Sequence, residues 1–229
     1  MLALLIVLAQ AAAPLSPTAI AVKGIQLRVD TVDGYAHPNV NNRPIFYGYY
    51  VYESKRSTVD GKPAYLLIMN YRSTSDSFQS DTLAVDAATL APLWHHFYAR
   101  IDTALVTYHG RHATGWSKRE GQRRVTIDHQ LSEHAIDGTL LHWLLPAAQL
   151  GSGVVVPITS FSIWTNRETS GSLSVIAAET LEIGGKPTDT WVVRSASGVR
   201  RWIDKATPRI VRIHQPRDKG GGFWDTARR

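Results

Sequence analysis

Ala64-Tyr65-Leu66-Leu67-Ile68-Met69-Asn70-Tyr71 is the stretch on which the fold turns. Taken with period two it is apolar on both faces, with Tyr65, Leu67 and Met69 on one and Leu66 and Ile68 on the other. A strand covered on both sides reads this way, so packing is expected on each face of its sheet. Just upstream, Asp60-Gly61-Lys62-Pro63 separates this run from the tyrosine-rich run 47–53. Asp-Gly is a strong hairpin signal, because a two-residue turn needs residues that tolerate positive φ. An antiparallel hairpin is expected here.

The same texture continues outward. Runs 79–85, 93–99, 103–109, 114–118 and 123–131 read as strands, and so do 154–163, 173–183, 190–196, 199–204 and 209–214. In 123–131, Val125, Ile127, His129 and Leu131 share one face and Arg124, Thr126, Asp128 and Gln130 the other, the pattern of a sheet wet on one side. Two turns echo each other, Asp86 to Leu90 and Asp204 to Pro208, each with Thr three residues after an Asp whose carboxylate can accept from backbone N–H groups. The clearest helix spans 136–150: Asp137 can cap it, Leu140, Leu141, Leu144 and Leu145 fall at helical spacing, and Pro146 ends or kinks it. Upstream, 25–32 alternates as an edge strand would. The expected class is mainly β (α+β), an antiparallel sheet packed on one or two short helices.

At 229 residues and 44% apolar content the chain can build one sizeable core. It holds no cysteine, which excludes a disulfide framework, a cysteine zinc site, a thiol nucleophile and lipid attachment at an N-terminal Cys. Residues 2–8 are aliphatic and Ala11-Ala12-Ala13 follows, the pattern of a cleavable secretory signal and too short to cross a membrane. The expected organisation is a signal peptide over 1–13, a lead-in over 14–45, one β-rich domain over 46–216 and a flexible tail over 217–229. Localisation is expected to be periplasmic or secreted, as a soluble protein. The net charge of +6 lies entirely in residues 188–229, where ten basic face four acidic residues. Arg200, Arg201, Arg209 and Arg212 are the candidates for contact with an anionic membrane surface. Nucleic acid is not expected as a partner of an exported chain.

No constellation announces catalysis. There is no G-x-S-x-G elbow, and Gly151-Ser152-Gly153 follows the helix rather than preceding it. His95 and His96 are adjacent, so on a strand their rings point to opposite faces, and His109 and His112 straddle a turn. Asp128-His129 and Glu133-His134 are neighbours in sequence only. No catalytic residue, metal ligand or cofactor is assigned. The remaining resource is aromatic: Trp143 and Leu144 on the helix, with Trp164, Trp191 and Trp202 on or beside strands, are the candidates to line an apolar cleft between sheet and helix.

Glu179-Thr180-Leu181 through Gly185, Thr190 to Val193, Arg201 to Thr207 and Ile210 to Ile213 resemble a family of exported bacterial proteins with a lipoprotein-carrier-like (LolA/LolB-type) fold. The order of elements agrees over about 45–216, while the motifs agree over about 179–213. The resemblance implies a curved antiparallel sheet, a half-open barrel wrapped on a helix. It carries no catalytic residue, and the absence of cysteine implies a soluble periplasmic form. The expected function is non-catalytic binding of a lipid or a lipoprotein acyl chain in the cleft. The alternatives are a structural or interaction module of the cell envelope with a filled core, and a hydrolase whose site one sequence does not reveal.

Overall fold

The computed structural model describes residues 25–38, 43–216 and 223–228. The signal expected over 1–13 lies outside them. Each run read as a strand is one. The strands are β1 (Arg28–His37), β2 (Ile45–Val59), β3 (Lys62–Ser73), β4 (Phe78–Asp86), β5 (Pro92–Ala99), β6 (Thr103–His109), β7 (His112–Lys118) and β8 (Val125–Gln130). They continue with β9 (Ala135–Asp137), β10 (Val155–Ser162), β11 (Arg167–Ile183), β12 (Lys186–Ser195), β13 (Arg200–Asp204), β14 (Ile210–Pro216) and β15 (Phe223–Arg228). The β2–β3 turn has Asp60 at φ 48° and Gly61 at φ 76°, as Asp-Gly demands. The echoed turns use the same bonds: Asp86 Oδ1 accepts from Ala88 and Thr89 N–H, and Asp204 Oδ1 from Ala206 and Thr207 N–H.

All the strands join one sheet, ordered β8-β7-β6-β5-β4-β3-β2-β1-β15-β14-β13-β12-β11-β10-β9. The chain walks outward from β1 to β8, crosses to the far edge at β9, and walks back inward until β15 pairs with β1. Among the described residues only β9 and β10 pair in parallel. The sheet is curved and unclosed, since no ladder joins β8 to β9. Its two halves meet through side chains instead. Phe161 and Ile163 pack with Phe97, Val106 and Ile127, and the Phe161 ring lies 5.0 Å from that of His129. Glu168 of β11 accepts from His129 Nε2 at 3.1 Å and from the backbone and hydroxyl of Ser132 at 2.7 and 2.6 Å.

The concave face holds the main core. A 3-10 turn (Gly138–Leu140) and the short helix α1 (Leu141–Ala147) place Leu140, Trp143, Leu144 and Leu145 among Leu67, Leu83 and Val85 of one half and Val175, Val193 and Ile203 of the other. Burying each such side chain stabilises by roughly 1.5–3 kcal/mol. The helix is shorter than the expected 136–150. Asp137 is still in a strand, and its side chain caps the 3-10 turn by accepting from Thr139 N–H at 2.9 Å. Pro146 has no N–H to continue the helical ladder, and Ala148 is already extended at ψ 151°.

Three further expectations are corrected by the topology. Packing was expected on both faces of β3, but α1 covers only the Leu67 face, while Leu66 and Ile68 are half-buried on the other. β1 is not an edge: it lies in the middle of the sheet, inside the stretch read as a lead-in. The stretch read as a flexible tail supplies β15, its partner. Ion pairs hold β15 in place. Arg212 clasps Asp225 with two bonds at 3.1 and 2.6 Å, and Arg228 bonds Asp30 of β1. Local composition does not show a charge-matched partner 198 residues away along the chain.

The β1–β2 ladder slips by one residue after Gly34, leaving Tyr47 as the extra residue of a bulge beside Gly48. Gly48 has φ +153°, and a Cβ there would lie 2.2 Å from the Arg72 carbonyl oxygen. Gly48→Ala is expected to destabilise by about 1–3 kcal/mol or more, as strained backbone does. Urea unfolding read by circular dichroism measures it.

Candidate functional site

Alternation along β2 turns Tyr50 and Tyr52 inward, and the bulge adds Tyr47 to the same face. β3 contributes Met69 and Tyr71, β4 Gln79, β14 Ile213 and Gln215, and β15 Trp224 and Thr226. Together they line a hollow of about 570 Å³ on the concave face, in a part of the trough that α1 does not fill. The rings brace one another: Tyr47 meets Trp224 edge-on at 4.9 Å, and Tyr50 and Tyr71 lie 4.8 Å apart. Gly34 makes room for this, since a Cβ there would lie 2.6 Å from Tyr47 Cζ. The Tyr71 hydroxyl donates to the Tyr47 carbonyl at 3.1 Å, and the Tyr47 and Tyr50 hydroxyls are 3.4 Å apart. Burial pushes the phenols of Tyr47, Tyr50 and Tyr52 up, so each stays a neutral O–H at physiological pH. The hollow is an aromatic wall with a few neutral polar tips.

The helix end of this hollow is marked by Tyr52, whose ring stacks on that of His142 at 3.9 Å and 6°. Burial, with Arg28 and Arg201 adding to it, pushes His142 down to about 3, so it is a neutral imidazole. A second hollow of about 470 Å³ lies at the far end of α1, between Trp143, Pro146 and Ala148 on one side and Ile25, Arg28 and Pro208 on the other.

A second histidine is charged. His95, only 2% exposed, bonds Asp137 through Nδ1 at 2.7 Å and Asp81 through Nε2 at 2.6 Å, and the Tyr108 hydroxyl donates to Asp137 at 2.5 Å. Burial alone would lower its pKa, but the two carboxylates outweigh it and raise it to about 10. Burial alone would raise the Asp137 carboxyl, yet His95, Tyr108 and the Thr139 N–H hold it below its usual range. With a carboxylate on each ring nitrogen, the imidazolium has no lone pair to act as a base, and it lines neither hollow. This is a structural ion cluster. At Glu168 the carboxylate sits between His129 and Ser132, so no histidine bridges serine and acid as a hydrolytic triad requires. Among the described residues no three His, Asp or Glu side chains are grouped to hold a metal ion.

The sequence candidates for the cleft are scattered. Trp143 and Leu144 are buried in the main core, with Trp143 also edging the second hollow. Trp164 packs edge-on against Phe97 at 4.8 Å. Trp191 lies against the core under Lys205, whose Nζ is 4.0 Å from the ring centre. Trp202 is on the opposite face with Val192 and Val211, and its indole N–H donates to Glu179 at 2.7 Å. The four arginines do not form one patch either. Arg209 pairs with Asp204 and Arg212 with Asp225, Arg200 is exposed, and Arg201 turns inward. The residues that do line the hollow were missed because tyrosine alternation reads equally as core. For the ion cluster there was a signal: Asp81 shares the parity of Leu83 and Val85, and His95 that of Phe97, so both occupy core positions.

Two measurements test the cluster. His95→Leu strands two buried carboxylates and is expected to destabilise by about 3–5 kcal/mol in denaturant unfolding. A histidine raised from 6.5 to about 10 gives stability that is full below about pH 6.5 and lost on the way to pH 10. The depressed Asp137 gives stability present above the ordinary carboxylate range and lost in acid. Wild-type stability should therefore fall between pH 7 and 10, and the slope should flatten in His95→Leu.

Among the described residues no helix is long and apolar enough to cross a membrane. No curated protein matches the chain. Residues 39–221 match a family model described as "Protein of unknown function (DUF3108)", a span running from just before β2 to just before β15, and the chain belongs to that family.

Proposed function

We propose that this protein is a non-catalytic binding domain that holds a hydrophobic ligand, a lipid or a lipoprotein acyl chain, in the tyrosine-lined hollow. The observation that carries this is the hollow itself: about 570 Å³ of space on the concave face, walled by Tyr47, Tyr50, Tyr52, Met69, Tyr71 and Trp224. Ligand pockets of this kind fall in the range of about 300–1,000 Å³, mostly apolar with a few polar groups. An unclosed, curved antiparallel sheet with a short helix in its trough supports a lipoprotein-carrier-like reading of the fold. The aliphatic run at residues 2–8 and the small residues after it support action in the periplasm or outside the cell. The neutral phenols and the doubly bonded His95 favour binding over acid–base chemistry.

Protein purified from a lipid-containing host is expected to release lipid on organic extraction, seen by mass spectrometry, and to bind a fluorescent fatty-acid probe. Met69→Trp projects a larger ring into the hollow and should weaken the probe by about tenfold or more, while circular dichroism stays β-rich. A lipid-free protein that ignores the probe would sink the proposal.

A further inference from the structure

Arg201 is placed unlike the arginines around it. Alternation on β13 sends Arg200 to solvent and Arg201 to the concave face, directly across from Ile213, which lines the hollow. There it acts electrostatically on Tyr52 and on His142, the two rings that meet at the helix end of the hollow. Its neighbours have carboxylates: Arg28 and Arg228 share Asp30, Arg209 has Asp204, and Arg212 has Asp225. Among the described residues Arg201 has neither an ion pair nor a side-chain hydrogen bond, and its Nη1 is shut off from solvent without a partner. A guanidinium withdrawn from water with nothing to neutralise it is costly, and such a group asks for an explanation.

We infer that Arg201 is an internal anion anchor, and that the ligand of the hollow is an amphiphile with one negatively charged headgroup, a long-chain carboxylate or an alkyl phosphate. The inference rests on the hollow being a ligand site. A guanidinium offers a planar fork of donors matched to the oxygens of carboxylate or phosphate. The nearby acids do not compete for it: Asp30 is held by two other arginines and Asp81 by His95. Tyr52, a neutral phenol, joins the anchor to the aromatic wall, so a headgroup at Arg201 would leave its chain to run past Tyr50 and Tyr71. Arg201 is half-buried rather than sealed, which leaves it within reach of a ligand.

Binding of oleate, oleyl phosphate and oleyl alcohol to the full chain by calorimetry separates the cases. The wild type should take at least one of the two anions about tenfold or more tighter than the alcohol, and the tighter anion identifies the headgroup. Arg201→Met should collapse that preference to near unity, and Arg201→Lys, which keeps the charge but not the fork, should retain part of it. An alcohol bound as tightly as both anions, or a preference that survives Arg201→Met, overturns the anchor and leaves the hollow as an apolar site. If none of the three binds, the anchor and the proposed function fall together.

Discussion

The His95 cluster is the constraint on which the curl of the sheet depends. β5 and β9 lie far apart in strand order, yet His95 of the first reaches Asp137 of the second at 2.7 Å. Asp137 also receives Tyr108 from β6 and caps the turn that opens α1. One carboxylate thus ties the far edge, the helix start and the opposite half of the sheet. Ions buried this deeply add little net stability, because desolvation offsets their attraction. Their effect is on which geometry is allowed: a sheet curled otherwise leaves an imidazolium or a carboxylate buried alone, at a cost of several kcal/mol.

The rest of the interior follows from that fixed curl. The trough has one length, and the helix that enters it has seven residues, limited by a 3-10 turn before and Pro146 within. Where α1 stops filling the concave face, tyrosines from β2 and β3 take over, and they wall a space rather than close it. The two buried histidines show how environment sets charge. His95, between two carboxylates, is an imidazolium; His142, stacked on Tyr52 near Arg28 and Arg201, is neutral. The first belongs to the scaffold. The second belongs to the rim of the hollow, beside a cation without an anion.

Much of the fold was legible in the sequence. The alternation of 123–131 placed Ile127 inward and Thr126 outward as observed, and Asp60-Gly61 gave the hairpin its turn. The hollow was less legible. Trp164, Trp191 and Trp202 were plausible cleft residues by composition, but they divide between two packing clusters and the opposite face. Tyr47 reached the hollow only through a bulge, which shifts parity by one residue and so reverses the face that simple alternation assigns.

By itself the sequence determined the strands, their hairpins and the two Asp-to-Thr turns, because each is set by side-chain alternation and hydrogen bonds within a few residues. Only the tertiary structure decided the curl, the placement of β1 and β15 at the centre, the charge of His95 and the isolation of Arg201. These depend on partners distant along the chain, such as His95 and Asp137, 42 residues apart, or Arg228 and Asp30, 198 apart. Burial and pairing are properties of the space between such residues, and no local pattern contains that space.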